Sequence, residues 1–373
     1  MSFQELPFLD VFRDATGGNV KTPRTEFLKE GEFPVVDQGR TLVAGFVNER
    51  SSVCSVDPPV IVFGDHTRVV KYVDFEFAMG ADGTKVLVPK VESDTKYLYY
   101  ALKAIEVPAA GYSRHYKFLK ETRIPLPPLT EQKRISGILD AADTLRAKRR
   151  EALAQIDTLL QSTFLDMFGD PVTNPMGWEE RTLGELAQNS LRNGLSPSTR
   201  GTIDGEVLTL SAITRGRFDF AARKIARFDR QPSPSQKLNT DTFLICRGNG
   251  NMKLVGTGAY PDRSSSLVCF PDTMIGVATS PSLMAPAYLQ NVWRTRRVRR
   301  QIERGARTTN GTHKVNQRVL SSIVFPVPPL GPQLQFAAIA ESIRQQEVRQ
   351  RGHLAELDTL FASLQSRAFD GEL

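Results

Sequence analysis

The chain has 373 residues, 24% of them charged and 40% hydrophobic, with a formal net charge of +7. That length suffices for two domains with a core each, and the composition is ordinary for a globular protein. Cys54, Cys246 and Cys269 are too scattered and odd in number for a disulfide framework, and no apolar run approaches membrane-spanning length.

The cysteines read as reduced thiols, and "MSFQELPFLDVFRD" lacks the basic-then-apolar layout of a signal peptide, so a cytoplasmic protein with no membrane partner is expected. The basic surplus is compatible with an acidic partner without requiring one.

In chain order, residues 1–124 form a first globular stretch. Its β-rich runs "PPVIVF" and "TKVLVP" lie between Gly, Asp and Asn turns, and "TKYLYYALKAI" predicts a helix. Prolines 125, 127 and 128 disfavour helix before Leu129, after which Thr130 offers an N-cap oxygen. Ile135, Ile138, Leu139, Ala142, Leu145, Leu153, Ile156, Leu159, Leu160 and Phe164 then follow with a three-four apolar spacing. That predicts a helix to Asp166, roughly 54 Å long at 1.5 Å per residue. "FGDPVTNPMGW" supplies an exposed connector at 169–177. The second globular stretch, 178–325, has strand-like "GEVLTLSAI", "DTFLIC" and "SSLVCF", and "AYLQNVWRTRRVRRQI" predicts one helix. Residues 326–373 repeat the proline bracket and the long helix, with Gly352 a point of local loosening.

One shift of about 201 residues sets Pro127-Pro128-Leu129 on Pro328-Pro329-Leu330, Asp157-Thr158-Leu159 on Asp358-Thr359-Leu360, and Phe168 on Phe369, without a gap. Upstream echoes keep the same order with smaller shifts, as if the second copy carries loop insertions. The expected fold is α+β: two globular parts separated by two long antiparallel helices in a coiled-coil rod, a pseudo-two-fold internal repeat. A core helix in a larger bundle is the alternative reading of each long helix.

Catalytic signatures are absent from the sequence. Its four histidines lack metal-ligand spacing, and no Walker loop, serine elbow or zinc-protease pair occurs. "LVGTG" and "NPMG" only loosely suggest methyltransferase motifs, the second lacking the aromatic residue that would stack on a flipped base.

The remaining chemistry is basic and amide-rich. In "RTRRVRRQIERGARTTNGTHK", Arg296, Arg300 and Arg304 would share a helix face, leading into a loop with Arg307, Asn310, His313 and Lys314. A solvated helix face is the plain alternative. Similar loops hold Arg192 and Asn193, and Arg247, Asn249, Asn251 and Lys253. The first half offers Gln38 and Arg40, His66 and Arg68, and Arg114, His115 and Lys117. Arginine pairs bidentately with guanine, and Asn or Gln with adenine, so these are candidate DNA-binding residues.

Two variable stretches, each followed by P-x-P-P-L-x-x-Q and a long helix, with "FLDMFGDPVTNPMGW" between them, resemble the specificity subunit of type I restriction-modification enzymes. The resemblance spans essentially the whole chain; its main departure is "PLGPQ" for "PLTEQ" in the second bracket. It implies a non-catalytic reader of double-stranded DNA with two target recognition domains, 1–124 and 178–325, one per half of a bipartite, asymmetric site. The helices 125–168 and 326–373 would space these domains and dock two methyltransferase subunits. Those partners would bind S-adenosylmethionine, so this chain needs no cofactor and no metal. Restriction-translocase subunits would join the complex.

Overall fold

The computed structural model describes residues 3–108, 114–309 and 311–373. The chain divides into two compact units, Met1–Glu151 with Gln350–Leu373, and Ala152–Arg349, each mixing helices and strands. The long helices, Leu129–Phe168 and Leu330–Phe369, have 40 residues each, and each contributes to both units.

In the first unit, strands Phe12–Asp14, Thr84–Pro89, Val60–Gly64 and Val70–Val73 lie side by side in that order, all antiparallel. Val60–Gly64 is buried at every position, as its unbroken apolar run requires of an inner strand. A second sheet takes Lys21–Thr22, Ala78–Gly80, Phe33–Val36 and Gly45–Val47. The helix Thr95–Ala104 is capped by Asp94, whose carboxylate accepts the Tyr97 amide at 2.8 Å. Its Tyr97, Leu98 and Ala101 face a core shared with Phe8, Phe63, Ile135, Leu139 and Phe361. Each such large side chain contributes about 1.5–3 kcal/mol by burial.

The proline bracket is tied down by side chains. Glu5–Pro7 pairs antiparallel with Arg123–Pro125, and the Tyr97 hydroxyl donates to the Pro125 carbonyl at 2.8 Å. Gln132, 2% exposed, donates to the Pro127 carbonyl at 2.8 Å and accepts the Asp94 amide at 3.0 Å. The helix begins at Leu129, because the Pro128 carbonyl already accepts the amides of Glu131 and Gln132. Thr130 therefore lies inside the first turn and is not the cap expected from sequence.

Still within this unit, the first part of one long helix runs antiparallel to the last part of the other. Arg134 donates to the Leu373 carbonyl at 2.6 Å, Arg146 to Asp358 at 2.7 Å, and Arg149 to Gln350. Arg146 is 16% exposed, also bonds Asp143 at 2.6 Å and lies 4.3 Å from the Phe361 ring centroid.

The second unit has a sheet of Arg192–Asn193, Met274–Ala278, Thr242–Cys246 and Gly258–Ala259, again with the buried strand inside. Its other sheet is Arg223–Phe228, Ile203–Leu208, Ser265–Cys269 and Lys237–Leu238. Glu180–Thr182 pairs with Val324–Pro326, and the Tyr288 hydroxyl donates to the Pro326 carbonyl at 2.7 Å. Gln333, fully buried, donates to the carbonyls of Pro328 (2.7 Å) and Leu283 (3.0 Å) and accepts the Ala285 amide at 2.9 Å. Phe336 packs edge-on against Phe164 and Phe168. Pro332 sits in the first helical turn, where no intrahelical N–H is needed, and the helix runs unbroken through Gly352.

One sequence expectation is corrected in this unit. The segment from Ala287 is two helices, Pro286–Val292 and Arg296–Gly305. The break falls where the Trp293 indole turns to the Gly256 carbonyl (2.8 Å) and Thr295 is extended, its hydroxyl on the Val292 carbonyl. The connector after Phe168 is mostly exposed but folds on itself: Asn174 bonds both main-chain groups of Trp178, whose indole donates to the Phe168 carbonyl at 3.0 Å. No helix among the described residues is long and apolar enough to cross a membrane.

Candidate nucleic-acid interface

In the first unit the candidates gather around the tight turn Gly64–Val69. The Gly64 amide donates to the Val69 carbonyl at 2.8 Å and Arg68 takes a left-handed φ of 62°. The loop bearing Gln38 lies against this turn. Its carboxamide accepts the His66 amide at 3.2 Å, and its carbonyl accepts the Thr67 hydroxyl at 2.5 Å. Only glycines permit this approach: a Cβ on Gly64 would stand 2.1 Å from the Thr67 hydroxyl, and one on Gly83, whose φ is +72°, 2.7 Å from the His66 ring.

Beneath the loop, Lys71 is 5% exposed and donates to the Asp37 carbonyl at 2.7 Å; burial holds its ammonium below the ordinary lysine pKa, against the pull of Asp37. Arg40, Arg114 and Lys117 are exposed, and the Arg68 guanidinium donates to the Val107 carbonyl at 2.9 Å. His115 corrects the sequence reading. It is 2% exposed, and both its amide and ring Nδ1 donate to the Asp65 carbonyl (2.8 and 2.9 Å). Its ring is buried, and the residue braces the turn.

In the second unit a small sheet does the gathering. Gly248–Asn249 pairs with Thr312–Lys314, which pairs with Arg307–Thr309. Asn249 stands opposite His313, and Lys314 opposite Arg307. Arg247 leads into this sheet, its carbonyl accepting the Val315 amide at 2.9 Å and its guanidinium donating to the Asp272 carbonyl at 3.2 Å. The Asn249 and Asn251 side-chain oxygens accept the amides of Asn251 and Lys253 (2.9 and 3.0 Å), which shapes the turn. Each amide group keeps its NH2 donors and one lone pair for a base. Arg192 is exposed on the edge strand, and Asn193 accepts from Gln317 at 3.3 Å. His313 bonds the Thr308 hydroxyl at 3.0 Å. Asn310 lies outside the described residues.

The arginine helix sorts by face. Val298 and Ile302 are buried, and Arg296, Arg300 and Arg304, on the opposite side at about 100° per residue, are exposed. Arg297 is structural, donating to Glu180 at 2.5 Å and to the Pro171 carbonyl at 3.2 Å. Arg299 donates to three loop carbonyls. Sequence reading passed over Arg299, Lys71 and the clamping roles of Gln132 and Gln333. Arg299 carried a signal in flanking the Val298–Ile302 stripe, and the two glutamines in ending the repeated P-x-P-P-L-x-x-Q motif.

Neither methyltransferase-like fragment forms a cofactor turn. Gly256 of "LVGTG" is pressed on Ile302, with 2.6 Å from its would-be Cβ to Cδ1, and its carbonyl is taken by Trp293. "NPMG" is the exposed turn closed by Asn174. No group of side chains among the described residues could hold a metal ion.

This architecture is that of a known class. A solved type I restriction-modification S subunit from M. genitalium superposes with a TM-score of 0.60 at 15% identity, over 99% of this chain and 96% of that one. Residues 10–156 match the family described as the type I restriction modification DNA specificity domain. The chain is 25% identical over 271 residues to the type I restriction enzyme EcoKI specificity subunit of Escherichia coli (strain K12). It is 24% identical over 272 residues to the StySPI specificity subunit of Salmonella potsdam. Each match spans 67% of this chain and 57% of the relative. The chain is thus similar to type I specificity subunits over two thirds of its length, and spans just over half of the relatives it matches.

Proposed function

We propose that this chain is the DNA-reading subunit of a cytoplasmic type I restriction-modification complex. Residues 1–124 and 178–325 act as two target recognition domains, and helices 125–168 and 326–373, joined through 169–177, act as the spacer. The observation that carries the reading is the bracket that occurs in each unit. A buried glutamine clamps a proline carbonyl and a helix-leading amide, and a tyrosine hydroxyl holds the carbonyl of the proline two residues earlier. Ahead of each bracket stand different clusters of basic and amide side chains. A duplicated frame with unlike loops suits an internal repeat reading an asymmetric, bipartite double-stranded target.

The chain itself is read as non-catalytic. Two methyltransferase subunits would dock on the helices, bind S-adenosylmethionine and supply the methyl group; restriction-translocase subunits would complete the assembly.

The test is a matched shortening of both long helices, removing 152–155 and 346–349, which leaves Arg146, Arg149, Gln350 and Asp358 in place. Removing four residues shortens a helix by about 6 Å. Each base pair rises about 3.4 Å, so the unread gap should lose nearly two base pairs. Methylated adenines mapped in cells carrying the partner subunits should show a shorter gap between unchanged half-sites. Altered half-site bases, or methyl transfer by the purified chain alone, would overturn the proposal.

A further inference from the structure

We infer that Arg299 is a positioning residue that makes the loop Arg247–Gly256 and the helix Arg296–Gly305 one reading element. The inference rests on the DNA-reading proposal for its functional part only.

Arg299 comes from the side of the helix and spends its guanidinium on main-chain oxygens of the loop. It donates to Val255 at 2.6 Å, Met252 at 2.9 Å and Lys253 at 3.3 Å, while its Nε is held by Glu303 at 2.9 Å. Three converging carbonyls are a concentration of negative dipole that a planar cation with several donors satisfies and a lysine would not. The loop has one further attachment to this helix and one to the segment just before it. Gly256 lies on Ile302, and the Trp293 indole holds the Gly256 carbonyl. Asn249, Asn251 and Lys253 project from this loop, and Arg296, Arg300 and Arg304 from the outer face of the helix. Arg299 is only 25% exposed and four of its five donors are engaged within the protein, so it orders the amide-bearing loop relative to the exposed arginines.

Two readouts on the full chain test this. Hydrogen exchange without DNA, comparing Arg299→Lys and Arg299→Gln with wild type, should show at least tenfold faster exchange at the amides of Leu254, Val255, Gly256 and Thr257, with the strand Met274–Ala278 unchanged. Unchanged exchange at those amides overturns the inference even if the chain reads DNA, and faster exchange everywhere shows general destabilisation and overturns it too. With the partner-bound complex, selection from random DNA should show base preference relaxed in one half-site and the salt slope of binding preserved. A slope reduced by about one would make Arg299 a phosphate contact and sink the positioning role. If wild type selects no sequence while the exchange result holds, the DNA-reading proposal fails and the loop-ordering role stands.

Discussion

Replacing Gln333 by Leu keeps its volume but removes an amide that serves three partners. The Ala285 N–H and the carbonyls of Leu283 and Pro328 lose their bonds, at a site with no solvent exposure. Each buried polar group left unsatisfied costs about 1–3 kcal/mol. Local relaxation admits water to some of them, so about 3–5 kcal/mol is expected for the second unit, a large share of the usual 5–15 kcal/mol. Gln132→Leu orphans two groups, the Asp94 amide and the Pro127 carbonyl, and should cost about 2–4 kcal/mol in the first unit. Urea unfolding followed by far-UV circular dichroism measures both. Tyr288→Phe removes the neighbouring bond to Pro326 and should couple to Gln333→Leu by about 0.5 kcal/mol or more in a double-mutant cycle, since both hold one short segment. A loss below about 1 kcal/mol for Gln333→Leu would mean that prolines and packing alone hold the bracket.

Lys71 gives a pH signature. Burial lowers its folded pKa below the ordinary 10.5, so its penalty is present at neutral pH and is relieved as pH rises through the lowered value towards 10.5. The stability of wild type relative to Lys71→Met should therefore rise over that window in urea titrations, and a flat difference would refute the assignment. The thiols of Cys54, Cys246 and Cys269 are buried and pushed up to about 11 by that burial, from an ordinary 9.0. At pH 8 each has about a hundredth of the thiolate of an ordinary cysteine, so iodoacetamide should label none of them in the native chain and all three in urea; rapid native labelling would contradict their placement.

The proline brackets and the two long helices were legible because both are written in local rules: proline restricts its neighbours, and a three-four apolar spacing survives any tertiary context. The inner strands at Val60 and Thr242 were legible as unbroken apolar runs for the same reason. The break at Trp293–Thr295 was not, because it is set by the distant Gly256 carbonyl. Burial of His115 was likewise hidden, since its anchor is the main chain of Asp65, fifty positions away. Side chain to main chain bonds across such separations leave no pattern in the sequence of the acceptor, whose carbonyl is the same in every residue.

That asymmetry explains why the frame recurs while the loops diverge. Gln132 and Gln333 each accept a backbone amide, so the residue that donates it is free to differ, Asp94 in one unit and Ala285 in the other, with the bond geometry kept. The same tolerance extends to the loops. The turn at Gly64 is held by main-chain bonds and by Gln38, Lys71 and His115, and the loop at Gly248 by Arg299, Trp293 and strand pairing. In both, the anchoring groups sit behind the loop, and Arg40, Lys117, Asn251 and Lys253 are exposed in front. Exchanging Arg40, Lys117 or Lys253 disturbs none of these anchors, whereas exchanging Asn251 also costs the turn bond to the Lys253 amide. On the proposed DNA-reading function, substitution of such front residues would alter a half-site at little cost to folding.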